Sequence, residues 1–297
     1  MSAVLSPTAE DPFSLEQREV YRRWRERKLA AYPRRAEDLV VEVRDPRALS
    51  DAEVRKLREV CAVANMAVYA SRPAGHADGE LVRRVGARLG LARLQSNPFA
   101  DEDGISALEA APEKSARGYI PYSNRRLAWH TDGYYNAPAQ RIRAFLLHCA
   151  RAAAAGGENR VLDHEIAYLL LRDADPDHVR ALSAPDAMTV PANTDEGMAR
   201  PAQSGPVFSS DGGALHMRYT ARTRSIEWRA DAATQTAVQR LREILDSGSP
   251  YVFTLRLEPG QGLVCNNVLH DRSAFSDAPG AGRLVYRARY LDRIAAA

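Results

Sequence analysis

Short candidate strands separated by turns that contain Gly and Pro fill the second half of this 297-residue chain. Runs of β-branched, aromatic and aliphatic residues bounded by turn residues are typical of strands. The segments that this pattern predicts to be strands are 144–149, 159–162, 215–219, 251–257, 263–268 and 284–291. Two predicted helices interrupt them, at about 165–183 and 231–246. Because the strands do not alternate regularly with helices, the pattern favours a closed or double-sheet β core over a βαβ series.

The first hundred residues are predicted to be mostly helical, with short strands over VVEV and MAVYAS. Ser14 and Gln17 have the spacing of a capping box, which predicts a helix over 14–31. Ser50 and Glu53 have the same spacing at the start of a second predicted helix. This part of the chain therefore differs in character from the strand-rich part that follows it.

The segment 97–118 holds Pro, Gly, Asp, Glu and Ala in no clear period, which predicts a long surface loop. The chain length is compatible with one elaborated domain. We therefore expect a single domain over 1–297. It would have a mostly helical part at 1–95, a candidate lid loop at 96–118 and a β core at 119–293.

Composition and charge exclude several classes of protein. A formal charge of +3 and a pI near 8.8 are too mildly basic for a nucleic-acid-binding protein, and no apolar run is long enough to cross a bilayer. Cys61, Cys149 and Cys265 are widely separated and show no C-x-x-C spacing, which argues against a disulfide framework and a zinc ribbon. We expect a cytoplasmic protein with a small-molecule substrate and with no nucleic-acid or membrane partner; a homo-oligomer is left open.

The stretch LAWHTDGYY places His130 and Asp132 one residue apart. In an extended backbone both side chains point to the same side, so the pair is a candidate for two metal ligands, although such pairs also arise by chance. Among the seven histidines, His270 is distinctive because it follows the apolar run LVCNNVL and precedes DRSAF. Two imidazoles and one carboxylate would bind a metal at three corners and leave other positions open.

The C-terminal stretch GRLVYRARYLDR predicts a strand with Arg283, Arg287 and Arg289 on one face. An unpaired charge inside a barrel costs several kcal/mol, so buried arginines would require an anion such as a bound carboxylate. The other interpretation is that this face is exposed and the arginines are solvated. Spacing alone leaves both open.

Taken together, these stretches resemble the taurine dioxygenase and clavaminate synthase-like family of Fe(II)- and 2-oxoglutarate-dependent oxygenases, from about Tyr119 to Arg293. WHTDG resembles the family's proximal ligand motif, GGEN at 156–159 its Gly-Gly-Asp-Thr-type turn, VLHDRSAF its distal motif and RLVYR its oxoglutarate-binding strand. The four motifs occur in the family's order. The resemblance implies a mainly β fold with flanking helices (α+β) around a double-stranded β-helix, or jelly-roll, core.

The resemblance also implies roles for particular residues. His130, Asp132 and His270 would bind Fe(II) and act in catalysis. Arg283 would pair with the far carboxylate of the cosubstrate 2-oxoglutarate, and Asn159 stands where a Thr often helps to hold it. The implied reaction uses O2 to oxidise, most often to hydroxylate, an unactivated carbon, with release of succinate and CO2.

For the substrate, the resemblance implies that Arg287 holds an anionic group. Tyr134 and Tyr135, just past the proximal motif, would supply an aromatic wall. We therefore expect a small anionic or amino-acid-like substrate. Two other hypotheses stay open at this point: a non-catalytic member of the same fold that binds metal and 2-oxoglutarate, and a zinc hydrolase built on the same three ligands.

Overall fold

The computed structural model describes residues 10–73, 78–95, 104–110, 120–194, 199–223 and 226–295. These residues contain six α-helices and seventeen strands. The helices are α1 (Arg18–Ala31), α2 (Asp51–Ala64), α3 (Gly79–Arg88), α4 (His164–Ala174), α5 (Pro176–Leu182) and α6 (Ala232–Asp246). The strands are β1 (Val40–Glu42), β2 (Met66–Ala70), β3 (Ser106–Leu108), β4 (Leu127–His130), β5 (Ala144–Arg151), β6 (Ala155–Gly156), β7 (Asn159–Leu162), β8 (Met188–Val190), β9 (Gln203–Gly205), β10 (Phe208–Asp211), β11 (Ala214–Met217), β12 (Glu227–Trp228), β13 (Phe253–Leu255), β14 (Gln261–Cys265), β15 (Leu269–Arg272), β16 (Phe275–Ser276) and β17 (Leu284–Tyr290).

Two sheets form the centre of the molecule. The large sheet has six strands in the order β1-β2-β14-β5-β17-β3, and the small sheet has four in the order β13-β7-β15-β4. Their neighbouring strands are antiparallel, except that β1 and β2 are parallel. Three minor sheets, β10-β11, β12-β8-β9 and β16-β6, extend this framework.

The large sheet is buried on both faces. Leu147, Leu263 and Val285 point from it into an apolar core that also contains residues of the small sheet. Their neighbours Leu146 and Val264 point the other way, into a second core with α2 and α3. This alternation is the period-two pattern of a strand. It turns one face of β5, β14 and β17 towards strands β7 and β15 of the small sheet.

Helix α2 begins as the sequence predicts, but α1 does not. The Ser50 hydroxyl accepts a hydrogen bond from the Glu53 backbone N–H, and the Glu53 carboxylate accepts one from the Ser50 backbone N–H, which is a complete capping box. The capping box expected at Ser14 is wrong, because α1 starts only at Arg18 and the Ser14 hydroxyl donates to Glu16 instead.

The strand predicted at 263–268 exists, but it ends earlier than predicted, and the difference decides where one site residue lies. Strand β14 ends at Cys265, the backbone of Asn267 is left-handed (φ 53°), and β15 starts at Leu269 in the other sheet. His270 therefore lies within a strand of the small sheet and not at the end of a strand of the large one. The helix predicted at 165–183 is likewise two helices, because Asp175 caps α5 and Pro176 begins it.

The segment 97–118 is not irregular throughout. Strand β3 lies within it and pairs antiparallel with β17 at the edge of the large sheet. The rest of the candidate lid, residues 96–103 and 111–118, lies outside the described residues. Sequence periodicity also missed the short strands β6, β8, β9, β10, β12 and β16, which have two to four residues each.

A buried ionic cluster joins α1 to the start of α4. The Lys28 Nζ lies 2.6 Å from a carboxylate oxygen of Asp163 and 2.6 Å from one of Glu165. Asn65 donates to the second Asp163 oxygen (2.9 Å), and Arg293 donates to Asn65 (2.6 Å). Burial alone would lower the pKa of Lys28, but the two carboxylates hold it above its usual value. Lys28 is thus the only cation in contact with both carboxylates, and Arg293 lies 3.7 Å from the second oxygen of Glu165.

We predict that Lys28→Met lowers the free energy of unfolding by about 3–5 kcal/mol, because it leaves the buried Asp163 carboxylate without its cation and Glu165 with only Arg293, 3.7 Å away. Urea denaturation would measure the loss. Arg22→Met is the matched control on the same helix, since Arg22 makes exposed ion pairs with Glu19 and Glu26 and its removal should cost less than about 1 kcal/mol. Equal losses in the two variants would contradict this role of Lys28.

Candidate active site

Strands β4 and β15 place two histidines side by side. They pair antiparallel with His130 directly opposite His270, and the imidazole centroids lie 4.1 Å apart. Alternation turns Trp129 to the other face of β4, where its ring packs against the Arg160 guanidinium (4.9 Å). The register of one strand pair therefore decides that both imidazoles face the inside of the core.

Hydrogen bonds fix the tautomers of the two imidazoles. The His130 Nδ1 lies 2.9 Å from the Ala128 carbonyl oxygen and 3.1 Å from that of His270, and the His270 Nδ1 lies 3.0 Å from the Val268 carbonyl oxygen. Carbonyl oxygens only accept, so each Nδ1 carries the hydrogen. Each Nε2 therefore keeps a lone pair available for a metal.

Asp132 is held just past the end of β4 by the side chain of Asn267. The Asn267 Oδ1 accepts from the Asp132 backbone N–H (2.8 Å), and its Nδ2 donates to the carbonyl oxygens of Asp132 (3.0 Å) and Ile142 (2.8 Å). Gly133 follows with φ 68°, and a Cβ there would lie 2.5 Å from Ile142. Sequence analysis missed Asn267, although two successive Asn residues after an apolar run indicate a turn in which one of them adopts the left-handed region.

The three side chains converge. One nitrogen of each imidazole and one oxygen of Asp132 all lie within 4.8 Å of one another, and the His130 Nε2 is 3.7 Å from the Asp132 Oδ1. All three residues are buried, yet the Asp132 Oδ2 has no hydrogen-bond partner among the described residues. A buried carboxylate oxygen without a partner, next to two free imidazole nitrogens, fits a metal ion.

The charge states of Asp132 and His270 also suit a metal. Burial alone would raise the pKa of Asp132, but Arg287, His130 and Arg289 hold it well below its usual value, so the carboxyl is ionised. Burial and the neighbouring His130 lower the pKa of His270 to about 3, so this imidazole is neutral. Ionised carboxylates and neutral imidazoles are the forms that bind metals.

Arg283, just before β17, and Arg287 and Arg289 on it are all buried, so the hypothesis of a solvated face is wrong. Arg287 and Arg289 pair across the ladder with Leu147 and Phe145 of β5, and the Phe145 ring lies 4.7 Å from the His270 ring. The Arg287 Nη1 lies 3.4 Å from the Asp132 Oδ1. These arginines therefore lie beside the three converging side chains.

Arg283 immediately precedes β17 and lies beside the GGEN turn. Its guanidinium is next to Gly157, contacts the Phe275 ring at 5.3 Å, and makes no hydrogen bond with the described residues. Burial lowers the pKa of Arg283, against the weak opposing effect of Cys149 and Asp277. Asn159, in the same region, is buried, and its Nδ2 donates to the Asp271 carbonyl oxygen (2.9 Å).

Tyr134 and Tyr135 are half-buried and pack edge to face, with centroids 5.2 Å apart. The Tyr135 hydroxyl accepts from the Arg289 Nη1 (3.1 Å), and the Arg200 guanidinium lies 5.8 Å from the Tyr135 ring. The structure thus brings Tyr135 to Arg289, which also lowers the pKa of Asp132.

Two histidines and one carboxylate that leave coordination positions open are typical of mononuclear non-haem Fe(II) oxygenases. The model of the family "Taurine catabolism dioxygenase TauD, TfdA family" matches residues 26–289. A curated relative, uridine-5'-phosphate dioxygenase from Amycolatopsis sp, is 34% identical over 211 residues, which are 69% of this chain and 72% of that protein. The chain belongs to the TauD/TfdA family of dioxygenases.

Solved structures share the fold. Asparagine oxygenase in complex with Fe(II), 2S,3S-3-hydroxyasparagine and succinate superposes with a TM-score of 0.60 at 17% identity and covers 96% of this chain and 87% of its own. The non-heme iron oxygenase OrfP in complex with Fe and alpha-ketoglutaric acid gives a TM-score of 0.59 at 16% identity, with 82% of this chain and 80% of that chain covered.

The protein is thus an Fe(II)- and 2-oxoglutarate-dependent dioxygenase that oxidises a small-molecule substrate with release of succinate and CO2. The resemblance inferred from the sequence is confirmed, and the hypotheses of a zinc hydrolase and of a non-catalytic member are set aside. None of the helices in the described residues is both long and apolar enough to span a membrane.

We predict that Asn267→Gly lowers the affinity for Fe(II) at least about tenfold, because loss of a group that orients a metal ligand typically has this effect. Glycine tolerates the left-handed backbone of this position, so the variant removes only the three side-chain hydrogen bonds, worth about 2–4 kcal/mol of stability together. Anaerobic Fe(II) titration and urea denaturation would measure both effects.

Asn136→Gly is the matched control, because Asn136 makes one exposed hydrogen bond, to the Gln140 carbonyl oxygen, in the turn that follows. Its stability should change by less than about 1 kcal/mol, and its metal affinity should not change. Wild-type Fe(II) affinity in Asn267→Gly would show that Asp132 does not depend on this amide.

Proposed function

We propose that His130, Asp132 and His270 bind the Fe(II) of this dioxygenase. The observation that carries the proposal is the convergence of two Nε2 lone pairs and one partnerless carboxylate oxygen in a buried cluster. Among the described residues, this is the only group of three His, Cys, Asp or Glu side chains close enough together to hold an ion. The bound iron, together with 2-oxoglutarate and O2, supplies the oxidising chemistry.

The chain itself positions and desolvates this site. The backbone carbonyl oxygens that accept from each Nδ1 keep the imidazoles in the metal-binding tautomer and orientation. Phe145 covers one side of His270 and excludes water from it. Arg287 keeps Asp132 ionised, which maintains the negative ligand inside the core.

We propose that Arg283 holds the far carboxylate of 2-oxoglutarate. A buried guanidinium that has no acceptor among the described residues favours an anion, and a carboxylate can accept two parallel hydrogen bonds from it. The neighbouring Arg272 is a weaker candidate, because both of its terminal nitrogens donate to carbonyl oxygens, those of Pro121, Ser123 and Arg125, and only its Nε is without a partner among the described residues. Asn159 supports the same role, since only one of its two amide N–H groups is used by Asp271.

We propose that the substrate is a small anion whose negative group binds Arg287, with Tyr134 and Tyr135 as an aromatic wall of the site, and that it is hydroxylated. The Arg287 Nε is buried and has no partner among the described residues, so it remains available for a ligand. The relative with 34% identity acts on uridine 5'-phosphate, whereas the structures named for asparagine and arginine substrates are 15–18% identical. Higher sequence identity thus supports a nucleotide-like substrate over an amino acid.

We further propose a single oxygenase domain whose core is a double-stranded β-helix, or jelly roll. Two sheets that share one apolar core, and likeness in fold to asparagine oxygenase over 96% of the chain, support this architecture. All three cysteines are free and buried, which agrees with a reducing cytoplasm, the compartment that we propose.

We predict that His130→Ala or His270→Ala lowers the iron retained after anaerobic loading and desalting at least about tenfold, because one of three protein ligands is lost. Metal analysis would measure it. His178→Ala is the control, because that residue lies on α5 away from the cluster. A triad variant that keeps full iron content and full turnover would refute the assignment.

We predict that Arg283→Lys raises the Michaelis constant for 2-oxoglutarate about tenfold or more, because an ammonium group cannot reproduce the planar fork of two hydrogen bonds. Steady-state kinetics with varied 2-oxoglutarate would measure it. Arg151→Lys is the control, since Arg151 is exposed and donates to the Gly282 carbonyl oxygen nearby. Equal Michaelis constants in wild type and Arg283→Lys would place the cosubstrate elsewhere.

A further inference from the structure

Arg289 is, after Arg287, a second buried cation near the proposed iron ligand Asp132. None of the roles proposed above assigns a bound group to it. It lies two residues after Arg287 on the same face of β17, opposite Phe145. Its Nη1 donates to the Tyr135 hydroxyl, and its Nη2 is buried without an acceptor among the described residues. The two neighbouring arginines therefore each present an unused N–H: Nε of Arg287 and Nη2 of Arg289.

The formal charges of the loaded site do not balance. Arg283 and the far carboxylate of 2-oxoglutarate neutralise each other. At the iron end, Fe(II), Arg287 and Arg289 carry four positive charges, and Asp132 with the chelating carboxylate of 2-oxoglutarate carries two negative ones. Two positive charges therefore remain in a buried site, where uncompensated charge is costly. The groups near Arg289 that influence its charge are two tyrosines and Asp132, and Asp132 is already counted.

We propose that the substrate carries a dianionic phosphate monoester, which binds Arg289 and Arg287 together beside Tyr135. This inference rests on the proposed function, in which Arg287 faces the substrate. A phosphate monoester brings two negative charges and several acceptor oxygens, which match two unmatched positive charges and two unused N–H groups. Arg289 is then a substrate-binding residue that selects for charge.

Other small anions fit this arrangement less well. A carboxylate brings one negative charge and leaves one positive charge without a counter-ion. A zwitterionic amino acid adds an ammonium to an already cationic site, which like-charge repulsion disfavours. The surroundings favour a dianion too, because Arg200 lies against the Tyr135 ring and Arg222 lies near Tyr134. Such a cluster of positive charge attracts multiply charged anions.

The test compares ligands that differ by one charge. The probes are the four ribonucleoside 5'-monophosphates, their 5'-methyl phosphate esters, which are monoanions, and the free nucleosides. Binding is followed anaerobically through the change that each probe causes in the visible absorption band of the enzyme with Fe(II) and 2-oxoglutarate, and turnover is followed through succinate formation. For at least one nucleoside we expect wild-type enzyme to prefer the monophosphate over its methyl ester at least about tenfold.

In Arg289→Gln this preference should fall below about threefold, and Arg289→Lys should restore part of it, because a lysine keeps the charge. Arg143→Gln is the matched control: it removes one arginine charge near β5, where Arg143 makes an ion pair with Asp211 at the surface, and the preference should stay unchanged. Because Arg289 is an incompletely paired buried cation, Arg289→Gln should not lower the thermal midpoint. A purely structural role predicts a lower midpoint and an unchanged preference.

The pH dependence gives an independent readout. The second ionisation of a phosphate monoester has a pKa of about 6, so below that pH the dianion becomes scarce. The Michaelis constant of wild-type enzyme for the monophosphate should then rise towards tenfold per pH unit, relative to that for the methyl ester. Arg289→Gln should show a much weaker rise.

The possible outcomes distinguish failure of the proposed dianion site from failure of the proposed iron and cosubstrate residues. A normal absorption band with 2-oxoglutarate, but no preference for the monophosphates in wild type, would overturn the dianion site and leave the iron and cosubstrate residues standing. The same holds if Arg289→Gln keeps the full preference. Absence of the band in wild-type enzyme would overturn the assignment of those residues, and the inference with it.

Discussion

The pairing of β4 with β15 is the constraint on which the rest of the site depends. Its register sets His130 directly opposite His270, and a slip by one residue would turn one of the two imidazoles away from the core. The chain reaches β15 from the large sheet through the left-handed turn at Asn267, whose side chain also holds the backbone of Asp132. One strand register and one amide thus position all three converging side chains.

The protein has two buried clusters of charged side chains, and they differ in whether their charges are balanced within the chain. Around Lys28 the charges are matched within the chain, since two carboxylates, an asparagine and Arg293 surround the single lysine. At the proposed iron site, Arg287 and Arg289 outnumber Asp132, and two of their nitrogens, Arg287 Nε and Arg289 Nη2, have no acceptor among the described residues. Because this excess of buried positive charge destabilises the fold, an anionic cosubstrate and an anionic substrate should each stabilise the protein by binding its native state.

The sequence predicts correctly the features that depend on period and motif order, and it misses those that depend on contacts between distant segments. Alternation identifies β5, β7 and β17, the order of four motifs identifies the family, and the spacing of His130 and Asp132 predicts side chains that share a face. The run LVCNNVL looks like one strand, because its apolar residues continue through the point at which the chain crosses between sheets. The role of Asn267 cannot be read from spacing either, since its partners Asp132 and Ile142 are more than a hundred residues away.

The ion pair between Arg287 and Asp132 connects one of the proposed iron ligands to the arginine that is proposed to bind the substrate. Arg287 approaches the Oδ1 of Asp132 and leaves the Oδ2 without a partner among the described residues, so a single carboxylate oxygen is free to bind in the proposed metal site. In the proposed metal site, Asp132 and the two imidazoles would hold the iron and leave it accessible to 2-oxoglutarate and O2. In the proposed substrate site, the same guanidinium would use its Nε to bind the substrate anion. Under these two proposals Arg287 contacts both Asp132 and the substrate, which would account for a buried charge at this position of β17.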